Sequence, residues 1–181
     1  MRLRIVRIAA LACGLSSVPF AQQPTGEKLA PYYPTPLSIV ERMLDLVQLK
    51  AGEKMYDLGS GDGRIVIMAA QKYRADATGV ELDSDLVQSS TATIRQLGLE
   101  KTAHIIYGDV LKQNYSSADV ITVYLLPESN LKLRPVLDAS LKKGTRIVAH
   151  DFTIGGWKPD KEITIADDGE GRSHTLFLYI H

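Results

Sequence analysis

The sequence predicts an α/β fold: a doubly wound, mainly parallel seven-stranded sheet with a C-terminal antiparallel hairpin. Five short apolar runs alternate with helical stretches along the chain, which is typical of parallel sheets with helices on both faces. Two final runs alternate apolar and polar residues around a turn-rich segment at 167–171, which indicates a hairpin. The predicted strands span residues 54–58, 77–82, 104–107, 119–126, 146–150, 161–166 and 175–180.

Four helices accompany these strands. They are predicted over residues 36–47, 64–73, 85–97 and 135–141. In the first, apolar residues recur on one face, with Thr35 as the expected N-cap and Pro36 as the first helical residue. Asp83 can cap the third helix, and glycines at 98 and 144 end the third and fourth.

Length and charge restrict the class of protein. A chain of 181 residues, 45% hydrophobic and 23% charged, suits one domain with a sizeable core. Lys+Arg and Asp+Glu both number 21, so the formal net charge is zero. This balance argues against a strongly basic nucleic-acid surface and against a long acidic tail.

The N-terminus has the pattern of a secretory signal peptide over residues 1–21. Three arginines lie among the first seven residues, and an apolar run over 8–21 ends in Ala21 before two glutamines. That run is shorter than the roughly 20 apolar residues that a membrane-spanning helix needs. We therefore expect cleavage near Ala21, no stable membrane span afterwards and an exported, periplasmic or secreted protein. A misassigned start would make the protein cytoplasmic.

Three segments follow from this division: a signal peptide at 1–21, a flexible tether at 22–30 and one domain at 31–181. The single cysteine, Cys13, lies in the first segment. A cleaved chain would therefore contain no disulfide, thiolate metal site or cysteine nucleophile.

A glycine-rich loop at 57–63 (Asp-Leu-Gly-Ser-Gly-Asp-Gly) follows the first predicted strand. Glycines there allow a sharp turn and a close approach of the backbone to a ligand. Because ligands of such sheets bind at the carboxyl ends of the strands, where the strand order reverses, this loop is the expected ligand site.

The acids around the loop indicate which ligand it suits. The spacing is G-x-G-x-G, whereas dinucleotide sites have G-x-G-x-x-G. Asp57 and Asp62 would make the corner acidic, which suits a sulfonium or ammonium better than a pyrophosphate. Glu81, 18 residues after Gly63, can accept both hydroxyls of a ribose. We therefore expect S-adenosylmethionine rather than NAD.

With these motifs the sequence resembles a known family. The loop, its following residues to Ile67 and Gly79-Val80-Glu81 look like motif I and its acidic partner in class I (Rossmann-like) methyltransferases. The archaeal broad-specificity protein lysine methyltransferase, and the mitochondrial lysine methyltransferases of the ATP synthase c subunit and the adenine nucleotide translocase, are similar over a wider range. That resemblance is carried by residues 31–36, Tyr124-Leu125-Leu126-Pro127, Asn130, Leu133-Arg134-Pro135, His150-Asp151-Phe152 and Trp157.

The resemblance assigns cofactor-binding roles. The residues that would line the methionine end of the cofactor are Asp57, Gly59, Gly61 and Gly63. Glu81 would hold the ribose, and Asp109 would meet the adenine amino group. Tyr33 and Thr35 would cover the cofactor. On the residues alone, Asp109 can also be an ordinary loop carboxylate and Thr35 only an N-cap.

Tyr124 and Asn130 are the candidate residues at the methyl acceptor, with packing and helix capping as their alternatives. Transfer from a sulfonium mainly requires alignment and exclusion of water. A lysine acceptor must also be neutral, which costs about 4 kcal/mol at pH 7.4 for an ordinary pKa near 10.4. Enzymes acting on adenine usually carry Asn or Asp before Pro-Pro and an aromatic residue, and that motif is absent from the Tyr-Leu-Leu-Pro loop.

The sequence gives weaker support for a functional role of the other candidate residues. Trp157 and Tyr32 can form a rim of the acceptor site. The four histidines show no metal-ligand spacing, so we expect no metal, and only His150, at the end of a predicted strand, stays a candidate site residue.

The leading hypothesis is an S-adenosylmethionine-dependent methyltransferase that acts on the side-chain amine of protein lysine. Its expected partner is a protein that presents lysine, and nucleic acid is not expected. The alternatives are a small-molecule N- or O-methyltransferase and a non-catalytic cofactor-binding module.

Overall fold

The computed structural model describes Gly26 and residues 29–181. The predicted signal peptide, its cleavage near Ala21 and most of the predicted tether lie outside the described residues. Among the helices described, none combines the length and apolar character that a membrane crossing requires.

Seven strands form one sheet. They are β1 (Lys54–Leu58), β2 (Asp76–Glu81), β3 (Ala103–Tyr107), β4 (Val120–Val123), β5 (Arg146–His150), β6 (Lys161–Ile165) and β7 (His174–Ile180). Their order is β3-β2-β1-β4-β5-β7-β6. Strands β1 to β5 pair in parallel, whereas β7 pairs antiparallel with both β5 and β6. The predicted fold class is thereby confirmed.

Four helices and one short 3-10 turn join the strands. They are α1 (Leu37–Leu46), α2 (Arg64–Tyr73), α3 (Ser84–Gln96), α4 (Pro127–Ser140) and the 3-10 turn Val110–Lys112. Most boundaries lie within one residue of their predicted positions. The exceptions are the end of β4 and the start of α4.

The central strands place alternate side chains in two apolar cores on opposite faces of the sheet. Val120 and Val148 belong to the core that α1, α2 and α3 cover, whereas Ile121 and Ile147 belong to the core beneath α4. All four side chains are fully buried, and each such burial stabilises the fold by about 1.5–3 kcal/mol. Because β1 to β5 run parallel, their carboxyl ends lie at one shared edge of this doubly covered sheet.

The predicted start of the fourth helix at Pro135 is wrong by about two turns. Helix α4 begins at Pro127, where a missing N–H costs nothing because the first turn has no intrahelical acceptor for it. Pro135 lies inside the helix, on its exposed side. Strand β4 correspondingly ends at Val123, and residues 124–126 form the loop before α4.

The predicted N-cap of the first helix is also wrong. Pro36 occupies the capping position, and its carbonyl accepts the N–H groups of Ile39 and Val40. The Thr35 hydroxyl makes no capping contact and instead lies 3.2 Å from Nδ1 of His150. Thr35 therefore connects the start of α1 to the end of β5.

Candidate active site

A pocket opens at the carboxyl ends of β1, β2 and β4. Strands β1 and β4 are adjacent there although helices and two strands separate them in sequence. This is the point where the strand order reverses, and such points form ligand crevices in open α/β sheets. Asp57 and residues 59–62 of the glycine loop line this pocket together with Glu81, Asp109 and Tyr124, so the structure brings together predicted residues from four different loops. Gly63, also predicted to line the cofactor, caps α2 and is not among the lining residues.

The glycine loop is held against β2. The N–H groups of Gly59 and Ser60 both donate to the carbonyl of Val80, at 2.9 and 3.0 Å. Gly61 has a φ of +53°, and a Cβ added there would lie 2.8 Å from the Tyr32 ring. Only glycine fits this contact without displacing the ring. The sequence predicted a close approach of the loop backbone to a ligand, and in the structure the backbone at Gly61 closely approaches the Tyr32 ring.

Asp57 supplies a buried carboxylate at the base of the pocket. It is 2% exposed, and its Oδ1 accepts the Thr122 hydroxyl at 2.7 Å. Burial raises the pKa of Asp57 to about 7, and nearby Glu81 and Asp62 add to this while Thr122 opposes it. A cation placed beside Asp57 would therefore be attracted strongly once the carboxylate ionises.

The charge of Asp62 at that acidic corner is partly balanced by a cation. Its Oδ2 lies 2.7 Å from Nη2 of Arg64. Burial raises the pKa of Asp62, but the hydrogen bonds and charge of Arg64 outweigh it, and the pKa lies below its usual value. Arg64 also donates to the Thr35 carbonyl at 3.0 Å. Asp62 and Arg64 thus fasten the segment that precedes α1 onto the loop.

Glu81 lies at the end of β2, facing the loop. Its Oε2 accepts the Gly61 N–H at 2.8 Å, and its Oε1 accepts the N–H groups of Leu82 and Asp83, both at 2.8 Å. The carboxylate therefore already stabilises the loop. A ribose hydroxyl that donates to Oε2 would have to share this oxygen with the Gly61 N–H or displace the Gly61 N–H from it.

Asp109 is buried at the far end of the pocket. It caps the short 3-10 turn, since its Oδ1 accepts the Leu111 N–H at 2.9 Å. Gly26 lies against the same carboxylate: a Cβ at Gly26 would be 2.9 Å from its Oδ2. Asp109 thus stabilises its own loop, as an ordinary loop carboxylate would. It also lines the pocket.

The segment 29–35 forms one wall of the pocket, and we call it the cover segment. It includes Leu29 and Ala30, which were predicted to belong to the tether. Tyr33 is 54% exposed, and its hydroxyl accepts a hydrogen bond from Nη1 of Arg172 at 3.0 Å. Tyr32 also lines the pocket, and its ring packs on the glycine loop.

Tyr124, the predicted acceptor-site residue, lines the pocket. Its ring lies 4.0 Å from the His150 ring, centroid to centroid, and stacks on Phe152 at 6.2 Å. Burial, followed by the negative charge of Asp151, raises the pKa of Tyr124 to about 12. The hydroxyl therefore stays protonated at neutral pH and can donate a hydrogen bond but not act as a base.

Residues 124–126 form the loop predicted to contact the methyl acceptor, and we call them the acceptor loop. Asn130 lies beneath this loop and does not line the pocket. It is 1% exposed, and its Nδ2 donates to the carbonyls of Leu125 at 3.3 Å and Thr153 at 3.1 Å. The expectation that Asn130 contacts an acceptor is therefore corrected: it positions the loop by joining it to the segment after β5. Trp157 likewise packs on Tyr179, away from the pocket.

Sequence reasoning kept His150 as a candidate but missed the group of titratable side chains that it forms next to Tyr124. His150, Asp151 and His174 lie with their ligand atoms within 4.8 Å of one another, the one such group among the residues described. Burial lowers the pKa of His150 to about 4, so its ring is neutral. The antiparallel pairing of β5 with β7 brings His174 to this place, and no spacing along the sequence signals it.

Known proteins are similar to this chain in sequence and in architecture. A protein-lysine N-methyltransferase of Saccharolobus islandicus (strain REY15A) is 40% identical over 151 residues, which cover 83% of this chain and 92% of the relative. The human lysine N-methyltransferase of the ATP synthase c subunit is 29% identical over 144 residues, which cover 80% of this chain and 61% of the relative. The chain thus spans less than two thirds of the human protein.

Among solved structures, an RNA methyltransferase from Salinibacter ruber in complex with S-adenosyl-L-homocysteine is 40% identical. It superposes with a TM-score of 0.75 over 82% of this chain and 93% of that chain. The ANTKMT methyltransferase domain matches residues 57–161, from the buried acid of β1 to the first residue of β6. This match includes the glycine loop, Glu81, Asp109 and the acceptor loop, and it shows that the chain belongs to the ANTKMT methyltransferase family.

Proposed function

We propose that the chain transfers a methyl group from S-adenosylmethionine to the side-chain amine of lysine in a protein. The observation that carries the proposal is that Tyr124 and the glycine loop line one pocket. A donor held by the loop would therefore share this pocket with an acceptor held at Tyr124. The 40% identity to a protein-lysine N-methyltransferase supports lysine as the acceptor.

The pocket fits this cofactor chemically. Asp57 would hold the ammonium group of the methionine portion, and Glu81 and Asp109 would hold the ribose and the adenine. Ser60 supports the fit, because its Oγ is buried without a hydrogen-bond partner and borders the same pocket. When bound, S-adenosylmethionine supplies an activated methyl group on a positively charged sulfur.

The acceptor side would select and align a neutral amine. Tyr124 offers an aromatic face, which attracts cationic ammonium and methylammonium groups, and a hydroxyl that stays protonated. No strong base is needed when the lysine enters deprotonated, at a cost of about 4 kcal/mol at pH 7.4 that a partly apolar site lowers. Alignment then provides the remaining acceleration, about 7–11 kcal/mol in favourable cases.

RNA is the second candidate acceptor, because the Salinibacter ruber protein of 40% identity is described as an RNA methyltransferase. Against it stands the equal number of basic and acidic residues, 21 of each. Proteins that bind RNA through its phosphates usually carry a basic excess. Lysine therefore remains the favoured acceptor.

One labelling experiment separates these acceptors. The full chain is incubated with methyl-labelled S-adenosylmethionine and a cell extract, and protein, RNA and small molecules are then separated. We expect label in protein, recovered as methyl-lysine after hydrolysis. Label confined to RNA or to small molecules would overturn the lysine proposal, and cofactor binding without transfer to any fraction would indicate a binding module.

Two variants on one strand control the experiment. Glu81→Ala, at the pocket end of β2, should abolish labelling. Asp76→Asn, at the opposite end of β2 and 3.9 Å from the exposed His104, should leave labelling unchanged. Equal labelling by both variants would show that the methyl transfer does not use this pocket.

We propose in addition that the chain is exported. The basic, then apolar, pattern of residues 1–21 supports this. Mass spectrometry of the chain expressed with its own N-terminus should find a mature protein that starts near residue 22. A chain that keeps residues 1–21 and stays in the cytoplasm would contradict export.

A further inference from the structure

We propose that His150, Asp151 and His174 form a binding site for a divalent transition-metal ion of the zinc type, at the junction of β5 and β7. The site lies next to Tyr124, whose ring centroid is 4.0 Å from that of His150. The proposal does not depend on the proposed methyl transfer, because it concerns different side chains.

The three ligand atoms form a triangle close to the size that a metal ion requires. Nε2 of His150 lies 2.9 Å from Nδ1 of His174, which lies 3.0 Å from Oδ2 of Asp151. The third side of the triangle, from His150 Nε2 to Asp151 Oδ2, is 3.3 Å. Zinc–nitrogen and zinc–oxygen bonds are about 2.0–2.2 Å, so tetrahedral ligands around one ion lie about 3.3–3.6 Å apart. The third side meets this range, and the other two sides would have to lengthen by a few tenths of an ångström around an ion.

The outer atom of each ligand is held by an oxygen or an N–H group. Nε2 of His174 faces Oδ2 of Asp168 at 3.3 Å, and Nδ1 of His150 faces the Thr35 hydroxyl at 3.2 Å. Oδ1 of Asp151 accepts the Thr175 N–H at 2.8 Å. Metal-binding histidines usually donate their second ring N–H to such oxygens, which fixes the tautomer and the ring orientation.

Asp168, which faces Nε2 of His174, is itself held in place. It also accepts from the Glu170 N–H and the Arg172 guanidinium, at 2.7 and 2.9 Å. These contacts fix the orientation of the His174 ring, so that its Nδ1 is directed at His150 and Asp151.

The ligand types indicate the class of ion. Two imidazoles and one carboxylate suit zinc and related transition metals, whereas calcium and magnesium prefer an all-oxygen shell. Both rings are almost fully buried, while the Asp151 side chain is 24% exposed, so exchange with solvent would occur past Asp151. Asp151 also has a φ of +56°, which is uncommon for a residue with a side chain and often marks a functional position.

The test is metal binding by the full chain. The chain, with Cys13→Ser to remove its one thiol, is treated with a chelator and titrated with Zn²⁺ by calorimetry. We expect one ion per chain, and binding at least 100-fold weaker in His174→Gln and Asp151→Asn. His104→Gln is the matched control, because His104 is an exposed histidine on β3, and its affinity should equal that of the parent chain.

Two results would overturn the proposal: no binding of Zn²⁺ by the parent chain, or equal binding by His174→Gln. If a variant fails to fold, Co²⁺ absorption of the parent chain decides. Bands typical of nitrogen and oxygen ligands support the site, and their absence overturns it.

Discussion

Asp57 responds to pH more than an ordinary aspartate, because burial raises its pKa to about 7. The unfolded chain has a pKa near 4 at this residue. The folded state thus favours the protonated form, and Asp57 stabilises the fold below about pH 4 and loses this contribution as the pH rises through 7. Between pH 5 and pH 8 the free energy of unfolding should fall by about 2–3 kcal/mol relative to Asp57→Asn.

Urea denaturation of both proteins at the two pH values measures this difference. A constant difference would mean that Asp57 titrates near its usual value. Binding of a cationic cofactor should show the opposite trend and tighten as the pH rises, since only the ionised carboxylate attracts it.

Gly61 tests the contact between the glycine loop and the cover segment. Gly61→Ala should destabilise the fold by about 1–2 kcal/mol through its positive φ, and by more because the new Cβ meets the Tyr32 ring. Gly52→Ala is the control, since Gly52 also has a positive φ (+78°) but no atom within 4 Å of the added Cβ. Thermal unfolding of the two variants separates backbone strain from the steric clash with Tyr32. Equal losses of stability in both variants would show that the Tyr32 ring moves aside without destabilising the fold.

Residues on consecutive loops of the parallel strands could be predicted from the sequence, and residues joined by the antiparallel strands could not. Asp57, Gly61 and Glu81 follow β1 and β2, whose alternation with helices fixes where their loops meet. His174 and Asp151 meet only because β7 pairs with β5 in one particular register. The sequence predicts the hairpin but does not specify that register.

At the scale of elements, α4 shows how a single proline misleads. A proline can mark a helix start, and two are present, at 127 and 135. Pro135→Ala should stabilise the protein by about 1–3 kcal/mol, because it restores an N–H to the middle of a continuous helix. Chemical denaturation checks this, and unchanged or reduced stability would favour a helix that begins at Pro135.

Asn130 connects two elements, the acceptor loop after β4 and the segment after β5. Asn130→Ala leaves two buried carbonyls, those of Leu125 and Thr153, without this donor. We expect a loss of about 2–3 kcal/mol in the free energy of unfolding and a larger fall in methyl transfer than in cofactor affinity. Asn114→Ala, at an exposed turn, should change neither by a comparable amount, and similar losses in both variants would contradict the positioning role.

At the scale of the whole molecule, segments from the beginning and from the last part of the described chain meet beside a wall of the pocket. The cover segment contacts the loop between β6 and β7 through Tyr33 and Arg172, and the Ser38 hydroxyl donates to the Asp168 carbonyl at 2.8 Å. Sequence patterns predict the order of elements but not this closure, since it depends on side-chain contacts between segments 130 or more residues apart.

Tyr33→Phe should loosen that closure without unfolding the protein. The lost hydrogen bond is exposed, so the free energy of unfolding should change by no more than about 0.5 kcal/mol. The dissociation rate of S-adenosylmethionine should rise several-fold, as stopped-flow fluorescence can measure. Tyr73→Phe is the control. It removes a comparable hydroxyl contact, to Asp45 at 2.7 Å, and should leave the dissociation rate unchanged. If Tyr33→Phe released the ligand at the same rate as the parent chain, the cover segment would not retain the ligand.

Strand β4 is buried at every residue and has a parallel neighbour on each side. Its amide protons should therefore be among the slowest in the molecule to exchange with deuterium, since exposing them requires nearly global opening. Tyr124 follows this strand directly, so the acceptor loop is anchored at one end to the most persistent part of the protein. Thermal motion of the site should accordingly be greatest in the cover segment and smallest at Tyr124, which would let substrates enter past a moving wall while the position of transfer stays fixed.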